Sequence, residues 1–275
     1  MAAARKRAAI ALTIAGSDSS GGAGIQADIK TFTVLGVYGA SVITALTAQN
    51  TQGVQGVHSV PPEFIAQQIA SVASDLAIGA VKTGMLGDRA TVETVAAALR
   101  QHDLRPVVVD PVMVATSGDA LLAPDAVDAV RRELLPLADI ATPNLPEAAR
   151  LLDEPVAMTE SEMEAQGRRL VALGARAVLI KGGHGTGPEA VDFFVAEGVA
   201  SRLAKPRLAT RNIHGTGCTL SAAIAGLLAR GEPLEAAVRL AKEFVWRAIA
   251  AGRDLEIGHG AGPVDHLHAI RGDDG

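Results

Sequence analysis

The chain has 275 residues, a formal net charge of −5 at neutral pH, 48% hydrophobic residues and only 3% aromatic residues. A negative net charge and few aromatic side chains argue against a nucleic-acid-binding protein, which needs basic grooves and stacking platforms. The length fits a single core, no linker or repeat divides the sequence, and no apolar stretch is long enough to span a bilayer. We therefore predict one domain over residues 1–275, with residues 1–8 as a disordered N-terminal tail, and neither nucleic acid nor membrane as a partner. Because the single cysteine excludes an internal disulfide framework, we expect a reducing, cytoplasmic location.

Short apolar runs and helical patterns alternate along the sequence. The apolar runs have the length of buried strands and occupy residues 8–15, 42–48, 107–109 and 177–180. Helical patterns lie at residues 25–35, 63–76, 91–99, 126–135, 161–173 and 219–229. Strands that are apolar on both faces and alternate with helices indicate a parallel sheet that helices cover on both sides. Periodicity does not separate a short strand from a buried helix, so the alternation as a whole carries this prediction.

A glycine-rich loop at residues 16–24 follows the first predicted strand and leads into a helix. Within it, residues 22–27 fit the G-x-G-x-x-A pattern of dinucleotide-binding turns. However, several residues separate the strand from this motif, and Gln49 and Asn50 stand where the acidic ribose ligand is required. A nicotinamide or flavin site is therefore disfavoured, and the lack of G-x-x-x-x-G-K-[ST] excludes the phosphate-loop NTPases.

Residues 140–147 combine a short strand with the start of a helix. Asn144 can cap this helix, and Glu147 in its first turn places a carboxylate at the carboxyl edge of the sheet. A Mg²⁺ ion that bridges nucleotide phosphates needs only one or two protein carboxylates. The pattern therefore fits either simple helix capping or metal binding.

A glycine pair stands at the start of the helix near the C-terminal end of the sequence. The N–H groups of a helix start have no intrahelical partners, and together with the helix dipole they favour a phosphate or an oxyanion. Gly215 and Gly217 allow a ligand to approach the backbone closely. Cys218 should lose its proton more easily here than a free thiol, so it is a candidate proton acceptor. The alternative is a glycine-capped helix start with a small buried thiol.

Eight segments together resemble the hydroxymethylpyrimidine/phosphomethylpyrimidine kinases of thiamine biosynthesis, which belong to the ribokinase-like superfamily. The resemblance extends from about residue 10 to residue 264, and the segments lie at residues 15–18, 20–28, 43–51, 83–86, 110–113, 142–148, 181–184 and 214–219. It implies an α/β, three-layer ribokinase-like fold with a central, mostly parallel sheet and helices on both faces, and it suggests a homodimer. It also implies two successive ATP- and Mg²⁺-dependent steps. The first phosphorylates 4-amino-5-hydroxymethyl-2-methylpyrimidine, and the second converts the monophosphate to the diphosphate.

The resemblance implies roles for the residues of the glycine pair and for Glu147. Gly215, Thr216 and Gly217 would hold the transferring phosphoryl group on backbone N–H groups. Cys218 would receive the proton of the substrate alcohol, or it would only line the pocket. Glu147 would organise Mg²⁺, with water between the carboxylate and the ion.

Further residues would bind ATP. Asn144 would help to organise the metal and the phosphates, and Lys181 would pair with nucleotide phosphates unless it is a solvated residue at a strand end. Asp110 is either a partner of the metal site or the cap of the following turn. His184 and His214 lie in glycine-flanked turns near the predicted phosphates.

The expected pyrimidine pocket has one residue that can read the ring. The amide of Gln49 can donate to the ring nitrogen and accept from the amino group, unless the side chain faces solvent. Asp28 would accept from the hydroxymethyl or amino group, or it is a plain acid on a helix face. Gly16 would let the ring lie near the backbone, and Met85 and Val112 would supply apolar walls.

Two other functions stay open at this point. A pyridoxal kinase of the same superfamily phosphorylates a similar hydroxymethyl heteroaromatic ring. A non-catalytic, pyrimidine-binding regulator would need no apparatus for phosphoryl transfer, so the glycine pair, Asn144 and Glu147 count against it.

Overall fold

A computed structural model of the protein describes residues 7–115, 117–183, 185 and 187–271. Residues 1–6 of the predicted tail and His184 lie outside the described residues. The strands are β1 (Ile10–Ser17), β2 (Tyr38–Asn50), β3 (Gly53–Ser59), β4 (Ala80–Thr83), β5 (Val107–Val109), β6 (Ile140–Ala141), β7 (Ala177–Lys181), β8 (Glu189–Ala196) and β9 (Val199–Pro206). The helices are α1 (Gly24–Val34), α2 (Pro62–Ala73), α3 (Arg89–Gln101), α4 (Ala126–Ala129), α5 (Leu145–Leu152), α6 (Glu160–Ala172), α7 (Thr216–Ala229) and α8 (Leu234–Gly252). A π-helical turn, Val130–Leu134, and a 3-10 turn, Leu135–Leu137, continue α4.

In the described part of the chain, the strands form one sheet in the order β3-β2-β1-β4-β5-β6-β7-β8-β9. From β2 to β7 in this order, all neighbouring strands run parallel. At one edge β3 is antiparallel to β2, and at the other edge β8 and β9 form an antiparallel pair that continues from β7.

Helices cover both faces of this sheet because successive residues of each strand point to opposite sides. Leu12 and Ile14 of β1 belong to a core cluster that α2, α3, α5 and α6 complete. Ala11 points to the other face, where it belongs to a second cluster with Phe32 of α1 and Ile224 of α7. The predicted three-layer fold with a mostly parallel sheet is confirmed.

Several elements were not predicted from the sequence. The apolar runs missed β4, whose third residue is Lys82, and they missed β3 and β9, which carry many polar or exposed residues. They also missed β8. The helix α8 was also missed. No described helix has both the length and the apolar character that crossing a bilayer requires.

The carboxyl ends of the parallel strands meet along one edge, which is where open α/β sheets bind ligands. Gly16 is the second-last residue of β1, Asp110 follows β5 directly, Asn144 comes shortly after β6, and Lys181 ends β7. The fold therefore brings residues that are far apart in sequence to one place.

Candidate active site

A cavity of about 720 Å³ lies at this edge of the sheet, and its size is in the range of small-molecule sites. It brings together every predicted site residue except Asp28. The predicted residues that line it are Gly16, Gln49, Met85, Asp110, Val112, Asn144, Glu147, Lys181, Gly215, Thr216, Gly217 and Cys218.

The glycine pair forms an open helix start on the cavity wall. Gly215 has a φ of +76°, and a Cβ at this position would lie 1.9 Å from the carbonyl oxygen of Gly22, so only glycine fits. Among the described residues, none accepts a hydrogen bond from the N–H of Gly217 or of Cys218. We call these two N–H groups the anion cradle. They lie at the N-terminal, positive end of the α7 dipole, where an anion binds most favourably.

The N–H of Thr216, unlike those of Gly217 and Cys218, has an acceptor. Its N–H donates to the carbonyl of Ile213 at 3.2 Å, and its hydroxyl donates to the same carbonyl at 2.6 Å. Without a ligand that donor is used in the turn, so the role of the Thr216 N–H in holding a phosphoryl group stays a prediction.

The acidity of Cys218 also differs from the expectation. Burial raises the pKa of its thiol to about 11, and Asp28 and Asp110 add to the rise, while Lys82 opposes it. The prediction of an easily ionised thiol is wrong, because the helix start is too enclosed for its dipole to offset desolvation. Near neutral pH, Cys218 is a protonated thiol on the cavity wall.

A lysine lies between two carboxylates next to the cradle. The ammonium of Lys181 donates to Asp110 Oδ1 at 2.8 Å, and its Nζ is 4.0 Å from Glu147 Oε2. Thr142 and Ser221 also donate to Asp110, whose carboxyl group is buried. Burial opposes the charge of Asp110, but the attraction of Lys181 and Lys82, together with the hydrogen bonds from Lys181 and Ser221, outweighs it and lowers the pKa. Asp110 is therefore an anchor for Lys181, and this lysine is not solvated.

Glu147 caps α5 and also lines the cavity. Its Oε2 accepts from the N–H of Asn144, and Asn144 Oδ1 accepts from the N–H of Glu147, each at 2.8 Å, so the two residues form a capping box. Burial nevertheless raises the pKa of Glu147 to about 7, Lys181 opposes the rise, and Asp110 adds to it. The carboxyl group thus caps α5, lines the cavity and titrates near neutrality.

The donor set fits Mg²⁺ better than a metal held entirely by protein. The described residues contain no group of three or more His, Cys, Asp and Glu side chains that could hold a metal ion. Glu147 and Asp110 provide the one or two carboxylates that are typical for a Mg²⁺ ion bound mainly through water and phosphate. Lys181 between them shows that this place already accommodates a positive charge.

The other end of the cavity is lined by the residues that were predicted to form the ring pocket. A bulge between Ala48 and Gln49 interrupts the pairing of β2 with β3. The backbone of Gln49 is held by the hydroxyl of Ser19, while its Oε1 accepts from Thr47 at 3.2 Å. A Cβ on Gly16 would lie 3.0 Å from the sulfur of Met85, so the two residues are closely packed in this wall.

Asp28 is the predicted site residue that the structure places elsewhere. Its carboxylate is completely buried below the cavity, where Lys82 donates to both oxygens at 2.8 and 3.0 Å and Thr13 donates at 2.6 Å. The prediction that Asp28 contacts the substrate is wrong, because its oxygens are already occupied within the protein. Burial raises the pKa of Asp28, although Lys82 opposes this effect.

Two polar residues that were not predicted to cooperate join the two glycine loops. His214 Nε2 is 2.8 Å from Asp18 Oδ2, and Asp18 also accepts from Ser20 and from the N–H groups of Gly22 and Ala23. Burial opposes ionisation, but the hydrogen bonds from His214 and Ser20 outweigh it and hold the pKa of Asp18 well below its usual range. The Asp-Ser-Ser-Gly-Gly sequence is a turn signal that could have identified Asp18.

A further part of the cavity was missed by the sequence interpretation. Beyond Lys181, it continues between the end of β9 and α8. The only tryptophan of the chain lies here, and Lys205 Nζ is 5.3 Å from the centre of the Trp246 ring. The apolar lining residues are Pro206, Leu208, Val245, Trp246 and Ile249. The cavity therefore has room for a second, flat group beside the phosphate centre.

Comparisons with known proteins agree with this geometry. The sequence matches the family described as phosphomethylpyrimidine kinase over residues 18–265. The hydroxymethylpyrimidine/phosphomethylpyrimidine kinase of Rhizobium meliloti (strain 1021) is 58% identical over 260 residues, which cover 94% of this chain and 97% of that protein. The pyridoxal kinase of Bacillus subtilis in an ADP complex has a TM-score of 0.88 and 38% identity, with 96% of this chain and 99% of that chain covered. The phosphomethylpyrimidine kinase of Clostridium difficile 630 has a TM-score of 0.78 and 42% identity, with 87% and 99% covered.

Proposed function

The chain belongs to the phosphomethylpyrimidine kinase family, and we propose that its cavity carries out two successive ATP-dependent phosphorylations for thiamine biosynthesis or salvage. In the first, the hydroxymethyl group of 4-amino-5-hydroxymethyl-2-methylpyrimidine attacks the γ-phosphate of ATP. In the second, the monophosphate attacks another ATP and becomes the diphosphate. The observation that carries the proposal is that one cavity holds the Gln49 amide, the anion cradle and Lys181 together.

Gln49 reads the pyrimidine ring. Its half-buried amide lies at the end of the cavity that Gly16, Met85 and Val112 also line. The amide can donate to the ring nitrogen and accept from the amino group at once. A ring without this pair of groups leaves the amide unsatisfied, which costs about 1–3 kcal/mol for each lost partner.

The anion cradle and Lys181 hold the group that is transferred. A phosphoryl transfer depends mainly on positioning and on neutralising charge at the equatorial oxygens. The N–H groups of Gly217 and Cys218 supply fixed donors, and Lys181 supplies a full charge that Asp110 keeps in place. A Cβ on Gly217 would lie 3.3 Å from Lys181 Nζ, so this glycine also keeps the lysine close to the cradle.

Cys218 accepts the proton of the attacking alcohol in the first step. Only the small thiolate fraction is able to do this, because the pKa of the thiol is about 11. The second step needs no such acceptor, since a phosphate monoester already carries an ionised oxygen at neutral pH.

Glu147 and Asn144 would hold Mg²⁺ with the β- and γ-phosphates of ATP, and Asp110 would support them. The ion, when bound, neutralises charge on these phosphates and aligns them. The base of ATP would fit the apolar end of the cavity at Val245 and Trp246.

A substrate panel tests the function directly. Purified protein with ATP and Mg²⁺ should release ADP with the hydroxymethylpyrimidine and with its monophosphate, but not with ribose. Lack of turnover with the monophosphate would exclude the two-step proposal, and ADP release without any acceptor would exclude a specific kinase.

Pyridoxal is the second candidate substrate, because a pyridoxal kinase superposes on this chain with a TM-score of 0.88. Competition between pyridoxal and the hydroxymethylpyrimidine at equal concentration separates the two. We expect the aminopyrimidine to have the higher kcat/KM, since it offers both partners to Gln49.

We also propose a homodimer in the cytoplasm. The edge strand β3 has no partner on its outer side among the described residues, and the adjacent Leu46 and Val57 are each 48% exposed. An unpaired edge next to apolar side chains favours association. The single cysteine fits a reducing compartment. Light scattering of the purified chain tests the dimer.

A further inference from the structure

A segment near the C-terminus, residues 257–266, runs along the glycine loops of the cavity; we call it the C-terminal strap. It begins against the turn between β2 and β3, two residues after Gln49. The N–H of Gly260 donates to Thr51 Oγ1 at 3.0 Å, and a Cβ on Gly260 would lie 1.9 Å from the carbonyl oxygen of Thr51. A Cβ on Gly258, whose φ is +71°, would lie 2.4 Å from Thr51 Oγ1. Glycine is thus required wherever the strap meets this turn.

The strap then reaches the loop that precedes the anion cradle. The N–H of His214 donates to the carbonyl of Gly262 at 3.0 Å. A Cβ on Gly262 would lie 2.3 Å from Asn212 Oδ1, and the amide of Asn212 donates to the carbonyls of Gly252 and Leu255 at 2.7 and 2.8 Å. The loop is therefore fixed to the strap at Gly262 and to the end of α8 and the residues that follow it at Gly252 and Leu255.

The end of the strap acts on the first turn of α7 through a buried histidine. Burial and the nearby charge of Lys30 lower the pKa of His266 to about 4, so the ring is neutral at physiological pH. The hydroxyl of Thr219 donates to the carbonyl of Gly215 at 2.8 Å and is 2.9 Å from His266 Nε2. Because the hydroxyl has only one proton, His266 Nε2 must be the donor in the second contact.

The two successive hydrogen bonds, from His266 to Thr219 and from Thr219 to the Gly215 carbonyl, fix the peptide group between Gly215 and Thr216, which precedes the cradle. The carbonyl of Gly215 also accepts from the N–H of Thr219 at 2.8 Å, so two donors on one residue hold it. The next two peptide groups carry the free N–H groups of Gly217 and Cys218. A tilt of the Gly215 carbonyl would therefore turn both cradle donors away from the phosphoryl group.

We propose that the C-terminal strap positions the anion cradle, with His266 and Thr219 as the positioning residues, and that it joins the cradle to the turn beside Gln49. The inference rests on the proposed kinase function, because it assigns the cradle to the transferring phosphoryl group. Loss of one well-placed donor to a developing oxyanion costs about 10²–10³-fold in kcat, so a partial misalignment of donors that remain present should cost about 10–10²-fold. The KM values should change little, since Gln49 and the base pocket are untouched.

Substitutions on the two sides of the Thr219–His266 contact test the proposal. We expect His266→Ala and Thr219→Val to lower kcat of both phosphorylation steps by about 10–10²-fold, with KM within about threefold of the wild type. Thr219→Ser keeps the hydroxyl and should retain most of the activity. His266→Gln keeps an N–H donor and should recover part of it.

Val264→Ala is the matched control within the same strap. Val264 is a core side chain that is 2% exposed and has no hydrogen bond to the cradle, so its truncation lowers stability without moving the donors. All variants are assayed well below their measured unfolding midpoints. If His266→Ala lowers kcat no more than Val264→Ala does, the strap is only structural and the proposal is overturned. If His266→Ala does not fold, a Thr219→Val variant with the kcat of Thr219→Ser overturns it equally. A wild-type protein without turnover refutes the kinase function instead.

Discussion

The role of Cys218 can be decided from the pH dependence of the two phosphorylation steps. The pKa of the thiol is about 11, four units above neutral pH, so the thiolate fraction at pH 7 is about 10⁻⁴. If the thiolate accepts the alcohol proton, kcat/KM of the first step should rise about tenfold per pH unit. Between pH 7 and pH 10 this amounts to about 10³-fold. The second step should lack this rise because its nucleophile is already ionised.

The quantity to measure is the ratio of the first to the second step at each pH. The titration of a group that serves both steps changes both rates equally, so its effect cancels in this ratio. Glu147, whose burial raises its pKa to about 7, is one such group. Both monophosphate and diphosphate are separated by anion exchange after single turnovers, so that ADP release does not mix the steps.

Two variants of Cys218 complete this experiment. Cys218→Ala should lower the first step by about 10²-fold at pH 7, the low end of the range for a general base, because so little thiolate is present. Its step ratio should no longer depend on pH. Cys218→Ser keeps the size of the side chain without an accessible ionised form and should behave like the alanine variant. A wild-type ratio that stays constant from pH 7 to pH 10, or equal losses in both steps for Cys218→Ala, would show that the thiol only shapes the cradle.

Three further predictions concern the ring, the metal and the buried ion pair. Gln49→Leu should raise the activation free energy that corresponds to kcat/KM for the aminopyrimidine by about 2–4 kcal/mol and leave the KM for ATP unchanged. An equal loss of kcat/KM for pyridoxal would contradict the role of Gln49 in recognising the pyrimidine ring. Because burial raises the pKa of Glu147 to about 7, the Mg²⁺ requirement of the wild type should fall as pH rises from about 6 to 8, whereas Glu147→Gln, which resembles the protonated acid, should keep the high requirement that the wild type has at low pH. Lys82→Met should lower the free energy of unfolding in urea by about 3–5 kcal/mol, because the carboxylate of Asp28 loses its partner. Adding Asp28→Leu should restore most of that loss, and an unchanged midpoint in the single variant would refute the ion-pair reasoning.

The sequence predicts the centre of the fold better than its edges. The runs at residues 107–109 and 177–180 read as strands because both faces of β5 and β7 are covered, so nearly every residue is apolar. The edge strands β3 and β9 have one solvated side and no continuous apolar run. β4 was missed for a different reason. Lys82 interrupts its pattern, and the burial of this charge depends on Asp28, 54 residues away along the chain, which no local pattern reveals.

For the site, the sequence identified the wall of the cavity but not its internal partners. The glycine pair and the capping pattern at Asn144 depend on local backbone geometry, so the sequence shows them directly. Packing between distant segments determines three other properties: the burial of Asp28, the pKa of Cys218 and the pairing of Asp18 with His214. The apolar end near Trp246 was missed because α8 itself was not predicted.

Desolvation is the main reason why Cys218 does not behave like a thiol at an exposed helix start, and the buried charges near it act in both directions. Lys82 pairs with Asp28 and Lys181 pairs with Asp110, so positive and negative charges alternate beneath the ends of the strands. Buried pairs of this kind rarely add stability compared with apolar residues of the same size. Their effect here is on the pKa of Cys218. Lys82 favours the thiolate, Asp28 and Asp110 disfavour it, and desolvation makes the largest contribution to the raised pKa. Lys181 differs from Lys82 because it lines the cavity, so it can exchange Asp110 for a phosphate without leaving its place. Lys82 is therefore paired inside the protein, whereas Lys181 lies on the cavity wall. Under the proposed function, a phosphate that enters the cavity would meet the positive charge of Lys181, and Asp110 already offsets the cost of burying that charge.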